Sequence, residues 1–227
     1  QEAKAFLERC ANASFSIDNL ENKPVKRSPA PPFMTSTLQQ EAARKLGYSV
    51  SQTMRIAQGL YEKGFITYMR TDSLNLSTYC LSAAKQVIVD QMGENYSKTR
   101  NFQTRAKGAQ EAHEAIRPTQ MDQAEIAGTP QEKRLYRLIY LRTLASQMAN
   151  ALFEKTVATI GISGCDEKFI ATGEVMKFDG FIKVYRESTD DDAEDATPLL
   201  PNLKTGDLMN QQKIYATERF GLRPVRY

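Results

Sequence analysis

Apolar residues recur at helical spacing through the first two thirds of the chain and alternate at strand spacing in the last third. Leu38, Ala42 and Leu46 fall at i, i+4 and i+8 ahead of Gly47. That spacing predicts an amphipathic helix with a C-terminal glycine stop, and Thr35, Ser36 and Thr37 offer N-caps. Met54, Ala57 and Tyr61 share one face of a second helix, capped by Ser49 or Ser51 and ended by Gly64. "FITYMR" (65–70) then reads as a short strand, giving the helix–turn–helix–strand order of a winged helix. Leu81, Ala84, Ile88 and Met92 predict a third helix over about 78–92. "EAHEAIRP" (111–118) predicts a short helical turn stopped by Pro118. Thr129 and Glu132 form a capping-box pattern with Pro130 at the first helical position; Leu135 through Met148 carry that helix to about Asn150.

From Thr156 onward the period changes to two. "TVATIGI", "KFIATGEVM" and "FIKVY" predict strands, and "GDLMNQQKIYATERF" a strand pair. At the other end, residues 1–9 read as the end of a helix and "SFSI" (14–17) as a short strand. "KPVKRSPAPPF" (23–33) holds four prolines and three basic residues, so it reads as an extended linker and a boundary. The expected architecture is multidomain, α and β. A β-rich domain, 1–27 plus 154–227, would carry an inserted, mainly helical, winged-helix-like domain at 28–153. A hinge is expected near the linker and near 150–155.

Composition narrows the class. The chain has 227 residues, 41% hydrophobic and 25% charged, in the range of globular proteins. No apolar run is long enough for a membrane-spanning helix and no secretory leader is visible, so a cytoplasmic location is expected. The chain starts without Met, inside a helix-like stretch, and is expected to be a piece of a longer protein. Cys10, Cys80 and Cys165 are scattered, which suits reduced thiols. The single histidine excludes a multi-histidine metal centre. No phosphate-loop motif is present. Residues 28–153 carry a net charge of +5 and residues 154–227 of −3, a mild basic bias consistent with an anionic partner for the middle of the chain.

Three places could carry chemistry. Tyr68 and Arg70 would project from one face of the predicted strand, with Asp72 continuing that face. A phenol is a nucleophile once assisted, and a guanidinium can hold a phosphate oxygen and the charge that develops on it. Most tyrosines on apolar strands are simply packed there. His113, between Glu111 and Glu114 and one turn from Arg117, could act as a cationic phosphate donor or be only a surface residue. Residues 93–110 lack apolar period and carry Lys98, Arg100, Arg105 and Lys107 with Tyr96 and Phe102 interleaved. That fits a nucleic-acid-facing loop or a solvated one. The acidic run Asp190, Asp191 and Asp192 is expected to be solvated rather than a metal site. The Asn12, Asn75 and Asn95 sequons mean little without a secretory leader.

"PPFMTSTLQQEAARKLGYS", "TMRIAQGLYEKGFITYMRTDS" and "EAHEAIRPT" occur in this order and spacing. With "LLPNLKTGDLM" and the terminal "RPVRY", they resemble the central region of bacterial type IA DNA topoisomerases, over nearly the whole chain. Val225 departs from the usual P-P-R-Y ending. The resemblance implies that Tyr68 is the nucleophile, that Arg70 assists the scissile phosphate, and that His113 belongs to the DNA-contacting site; Arg117, Lys107 and Arg105 are expected DNA contacts. It implies domain III inserted in domain II of a four-domain toroid, with DNA, mainly single-stranded, as partner. Negatively supercoiled DNA would be relaxed through a 5′-phosphotyrosyl link without ATP. Mg²⁺ would be bound by a Toprim domain that, like domain IV, has no match here, so the chain alone is expected to be inactive. Two alternatives stand: the equivalent region of a topoisomerase III or reverse gyrase, or a non-catalytic winged-helix module reading duplex DNA through Arg55 and Lys63.

Overall fold

The structure is a computed structural model and describes residues 2–102, 113–186 and 200–217. Five helices, α1 (Glu2–Ala11), α2 (Thr35–Leu46), α3 (Val50–Glu62), α4 (Thr78–Met92) and α5 (Pro130–Ser146), combine with four strands. The strands are β1 (Phe15–Arg27), β2 (Ala151–Ile162), β3 (Lys168–Phe178) and β4 (Leu208–Met209), in one sheet of order β3-β2-β1-β4. The chain divides into two compact units. One is Gln1–Pro24 with Glu154–Val175 and Ala196–Tyr227; the other is Val25–Phe153 with Met176–Asp195.

The first unit has a small core of Cys10, Phe15 and Ile162, against which Phe6, Ile160, Phe169 and Met209 pack. β1 and β4 run antiparallel, with Phe15 opposite Met209 and Ser16 opposite Leu208.

The second unit is helical and larger, built around α5. Its residues Leu135, Tyr136, Leu138, Ile139 and Tyr140 are buried, and from Arg142 to Ser146 every side chain is buried, so the second half of the helix is enclosed, with α2, α3, α4 and the turn at Gly180–Lys183 packed against it. Each apolar side chain buried fully there contributes about 1.5–3 kcal/mol. The sequence signals for the helix ends hold. Gly47 closes α2 at φ 69°, Ser49 caps α3 by accepting from Gln52 N–H, and Ser77 caps α4 by accepting from Cys80 N–H. Thr129 and Glu132 form the capping box of α5. Lys63 adds an ion pair to Glu132 at 2.6 Å. Met34, rather than one of the three hydroxyl residues, is the N-cap of α2; Thr37 accepts from its N–H instead.

Five expected elements differ, each for a tertiary reason. "FITYMR" is not a strand: only Ile66 forms a bridge, to Pro118, so the wing of the winged-helix plan is not built. "EAHEAIRP" is not helical over its described residues 113–118. The N–H groups of Ala115 and Ile116 donate to Asn75 and Phe33 carbonyls, leaving none for a helical turn. "FIKVY" forms a 3₁₀ turn at Gly180–Lys183, started where Gly180, at φ 51°, packs against the Ala149 and Asn150 carbonyls. The "SFSI" strand continues through the supposed linker to Arg27. Pro24 is tolerated there because β4 pairs with β1 only at Phe15 and Ser16, which leaves that side of the later residues without a described strand to bond. β4 is two residues long, with no second strand after it up to residue 217.

Candidate active site

Residues 67–73 cross the second unit between two anchors. On one side lies the first turn of α2. Thr35 N–H donates to the Thr71 carbonyl at 2.9 Å. The Thr35 hydroxyl donates to the Met69 carbonyl at 2.8 Å and accepts from Thr71 N–H at 2.9 Å. On the other side, Thr67 N–H donates to the Arg117 carbonyl at 2.9 Å. The Thr67 hydroxyl donates to the Ala115 carbonyl at 2.7 Å and accepts from Arg117 N–H at 3.0 Å. The Thr35 hydroxyl and single backbone bonds to Thr35 and Arg117, rather than a long strand ladder, therefore hold this backbone.

The alternation expected of a strand survives without the strand. Met69, Thr71 and Ser73 are buried, while Tyr68, Arg70 and Asp72 are exposed, Tyr68 by 40%. Tyr68 opens onto a cleft of about 510 Å³, lined also by Tyr61, Thr67, His113 and Glu114. Its ring meets Tyr61 edge-on at 5.4 Å and His113 edge-on at 6.2 Å between centroids. Arg70 and Asp72 line a neighbouring cleft of about 460 Å³ at the start of α2, with Thr35, Gln39 and, again, His113. His113 thus borders both clefts and joins the phenol's surroundings to those of the guanidinium.

Beneath His113 sits an ion pair. Arg117 Nη2 donates to Glu114 Oε2 at 2.5 Å, and the other carboxylate oxygen accepts from Ser77 N–H, at the start of α4, at 2.6 Å. Burial works against the Glu114 charge, but the bonds from Arg117 and Ser77 outweigh it and hold its carboxyl below the ordinary range. Cys80 lies close by. Burial, set against the Arg117 charge and reinforced by Glu114, pushes its thiol up to about 11, so it is inert as a nucleophile at neutral pH. Among the described residues no three His, Cys, Asp or Glu side chains gather into a metal site.

A family model described as DNA topoisomerase matches residues 1–227. The chain belongs to that DNA topoisomerase family. It is 44% identical to DNA topoisomerase 1 of Zymomonas mobilis over 233 residues and 46% identical to that of Synechococcus elongatus over 235. Both alignments cover the whole of this chain, but only 19% and 26% of those proteins. The chain thus spans about a fifth to a third of the length of the curated relatives it matches. Full-length topoisomerase I from Thermotoga maritima superposes with a TM-score of 0.73 at 35% identity, over 91% of this chain and 34% of that one.

Within this topoisomerase fold, three of the residues singled out from the sequence, Tyr68, Arg70 and His113, come together. Arg117 is 8% exposed, and its guanidinium is bonded to Glu114, Ser77 and the Pro118 carbonyl. Arg105, Lys107 and Glu111, and likewise Asp190, Asp191 and Asp192, lie outside the described residues. Arg100 is not part of a solvated basic loop: its guanidinium donates to the Ser146 carbonyl at 3.2 Å, to the Met148 carbonyl and to Asn150, closing the end of α5. Arg55 is exposed on α3, and Lys63 is paired with Glu132. Sequence reasoning missed Tyr61 as a ring beside Tyr68 and the two threonine anchors. Those bonds join residues 36, 48 and 50 positions apart, which no local pattern reveals.

Proposed function

We propose that this chain is the nucleophile-bearing central part of a type IA DNA topoisomerase and that Tyr68 forms the covalent link to DNA. The observation that carries this reading is the exposed Tyr68 phenol in a cleft shared with His113, on a segment whose next exposed side chain is Arg70. Tyr68 Oη attacks a DNA phosphorus, the bond to the 3′ oxygen breaks, the phenol gives up its proton and the leaving 3′ oxygen gains one. The product is a 5′-phosphotyrosyl ester and a free 3′-hydroxyl. Another strand passes through the gap and the hydroxyl reverses the attack. One phosphodiester replaces another, so no ATP is consumed. Arg70 holds the charge developing on the phosphate oxygens, and His113 orients the same phosphate.

In this reading the helical unit corresponds to domain III and the sheet-bearing unit to domain II. The α2–α3 pair supplies the helix–turn–helix part of a winged-helix relation, without its wing strand. The partner is DNA, mainly single-stranded. Mg²⁺ would act in the whole enzyme from a Toprim domain. The described residues do not fit such an ion. Proximity of both halves is a large share of this chemistry, so the 227-residue chain alone neither cleaves nor relaxes DNA.

The test uses the longer protein and a single-stranded oligonucleotide labelled at its 3′ end. Rapid denaturation is expected to leave a covalent protein–DNA band that Tyr68→Phe abolishes. A band surviving Tyr68→Phe would move the chemistry elsewhere, Tyr79 being 68% exposed. No band in either, with duplex binding weakened by Arg55→Ala, would favour the non-catalytic module.

A further inference from the structure

We propose that the Glu114–Arg117 ion pair is a positioning device that fixes His113 against Tyr68, so that Glu114 and Arg117 act on the reaction without touching DNA. The proposal rests on the reading of Tyr68 as nucleophile.

Glu114 follows His113 directly in the chain. The Glu114 carboxylate is bound at both oxygens, to Ser77 N–H at 2.6 Å and to Arg117 Nη2 at 2.5 Å. Ser77 is itself the N-cap of α4, so the carboxylate stands at the positive end of a fifteen-residue helix. Arg117 is fixed in turn by its Nη1 bond to the Pro118 carbonyl at 2.8 Å. Its backbone is bonded in both directions to Thr67, the residue before Tyr68. The pair thus closes a loop of contacts running from His113 through Glu114, Arg117 and Thr67 to Tyr68. Glu114 also lines the Tyr68 cleft.

Stability alone is a poor account of this arrangement. A largely buried ion pair contributes little net stability, and here the buried Arg117 Nε has no hydrogen-bond partner among the described residues, which costs free energy. What the pair does supply is geometry. Arg117 Nη2 on one oxygen and Ser77 N–H on the other leave the carboxylate few orientations, and through them the pair holds the 6.2 Å edge-on contact between His113 and Tyr68.

Because His113 is the only histidine, its imidazole resonances stand alone in a histidine-labelled NMR sample of this chain. Tyr68→Leu calibrates the ring-current contribution. Glu114→Gln keeps the shape of the side chain and removes its charge; Arg117→Lys keeps charge and loses the fork; Arg117→Ala removes both. Glu114→Gln and Arg117→Ala are expected to move the His113 resonances toward their Tyr68→Leu positions. In the longer protein they are expected to slow single-turnover adduct formation about tenfold or more, as for groups that orient a catalytic residue. The oligonucleotide concentration giving half-maximal rate should stay within about twofold, and Arg117→Lys should recover part of the rate. If Arg117→Ala fails to fold, Glu114→Gln carries the test. Unmoved His113 resonances with an adduct rate within about twofold of wild type, in folded Glu114→Gln, overturn the proposal. Moved resonances with an unchanged rate overturn its catalytic half. A wild-type longer protein that forms no adduct overturns the functional reading instead, while the resonances still report whether the pair positions His113.

Discussion

Replacing Thr35 with valine removes one hydroxyl and almost nothing else. The two side chains match in size, and their helix propensities differ little. The hydroxyl anchors the Tyr68 segment, donating to the Met69 carbonyl at 2.8 Å, with the Thr71 carbonyl also within reach at 3.0 Å, and accepting from Thr71 N–H at 2.9 Å. Met69 and Thr71 are 1% and 7% exposed, so water does not readily replace the lost partner. Each bond contributes about 0.5–1.5 kcal/mol net, and a buried group left unpaired costs about 1–3. Thr35→Val should therefore destabilise the helical unit by about 2–3 kcal/mol. In a protein of this size that lowers the melting temperature by about 4–10 °C. Thermal and urea unfolding followed by circular dichroism at the helix band measure it, since four of the five helices lie in this unit. Thr35→Ser keeps the hydroxyl and is the control. The Thr35 N–H bond to the Thr71 carbonyl survives in both variants, so the segment loosens without leaving. In the longer protein the adduct should form more slowly with Thr35→Val than with Thr35→Ser. A Thr35→Val chain as stable as Thr35→Ser would refute the anchoring role.

Gly180→Ala should be far worse than Gly47→Ala. At Gly180 a Cβ would lie 2.5 Å from the Asn150 oxygen and 2.6 Å from that of Ala149, both backbone, at φ 51°. At Gly47, φ 69°, nothing lies within 4 Å. A loss of about 1–2 kcal/mol at Gly47 and about 3 or more at Gly180 is expected from urea midpoints. Thr129→Ala removes half of the α5 capping box, whose hydroxyl accepts from Glu132 N–H at 3.2 Å, and should cost about 1 kcal/mol in the same assay. Alkali should destabilise the helical unit. Burial, aided by Tyr140 and Asp122, pushes the Tyr136 hydroxyl from an ordinary 10.0 up to about 12. Between those values the folded chain keeps a proton that the unfolded chain has lost. Stability therefore falls as pH rises through that window, and Tyr136→Phe should flatten the fall in a urea-midpoint profile.

Where the fold was legible, a local cause was sufficient. Gly47 ends α2 because a glycine takes the left-handed conformation readily, and Thr129 with Glu132 starts α5 because their atoms satisfy each other's N–H groups. Such causes lie within four residues, so composition and spacing carry them. "FITYMR" and "FIKVY" have the residue types of strands, yet neither is paired along its length, and β propensity without a paired partner does not make a strand. The first makes one bridge, Ile66 to Pro118, before its Met69 carbonyl turns to Thr35 on α2; the second bends at Gly180 against Asn150.

The site was legible in the same uneven way, and Arg117 shows why. Two nearby positions, His113 and Arg117, offer positive charge to an anion if only types and spacing are considered, with Glu114 between them. The structure separates them by what is already bound. Glu114 faces Arg117 and the start of α4, which consumes both charges internally and leaves His113 as the group that lines both clefts. Arg70 stays available because the residues on either side of it, Met69 and Thr71, take up the burial and the backbone bonds. A cation in a motif is thus a candidate for phosphate only after its internal partners are known. By that criterion Arg70 passes and Arg117 and Arg100 do not. Substituting Arg70 should therefore weaken phosphate handling with little effect on folding, whereas substituting Arg100 should act first on the fold around it.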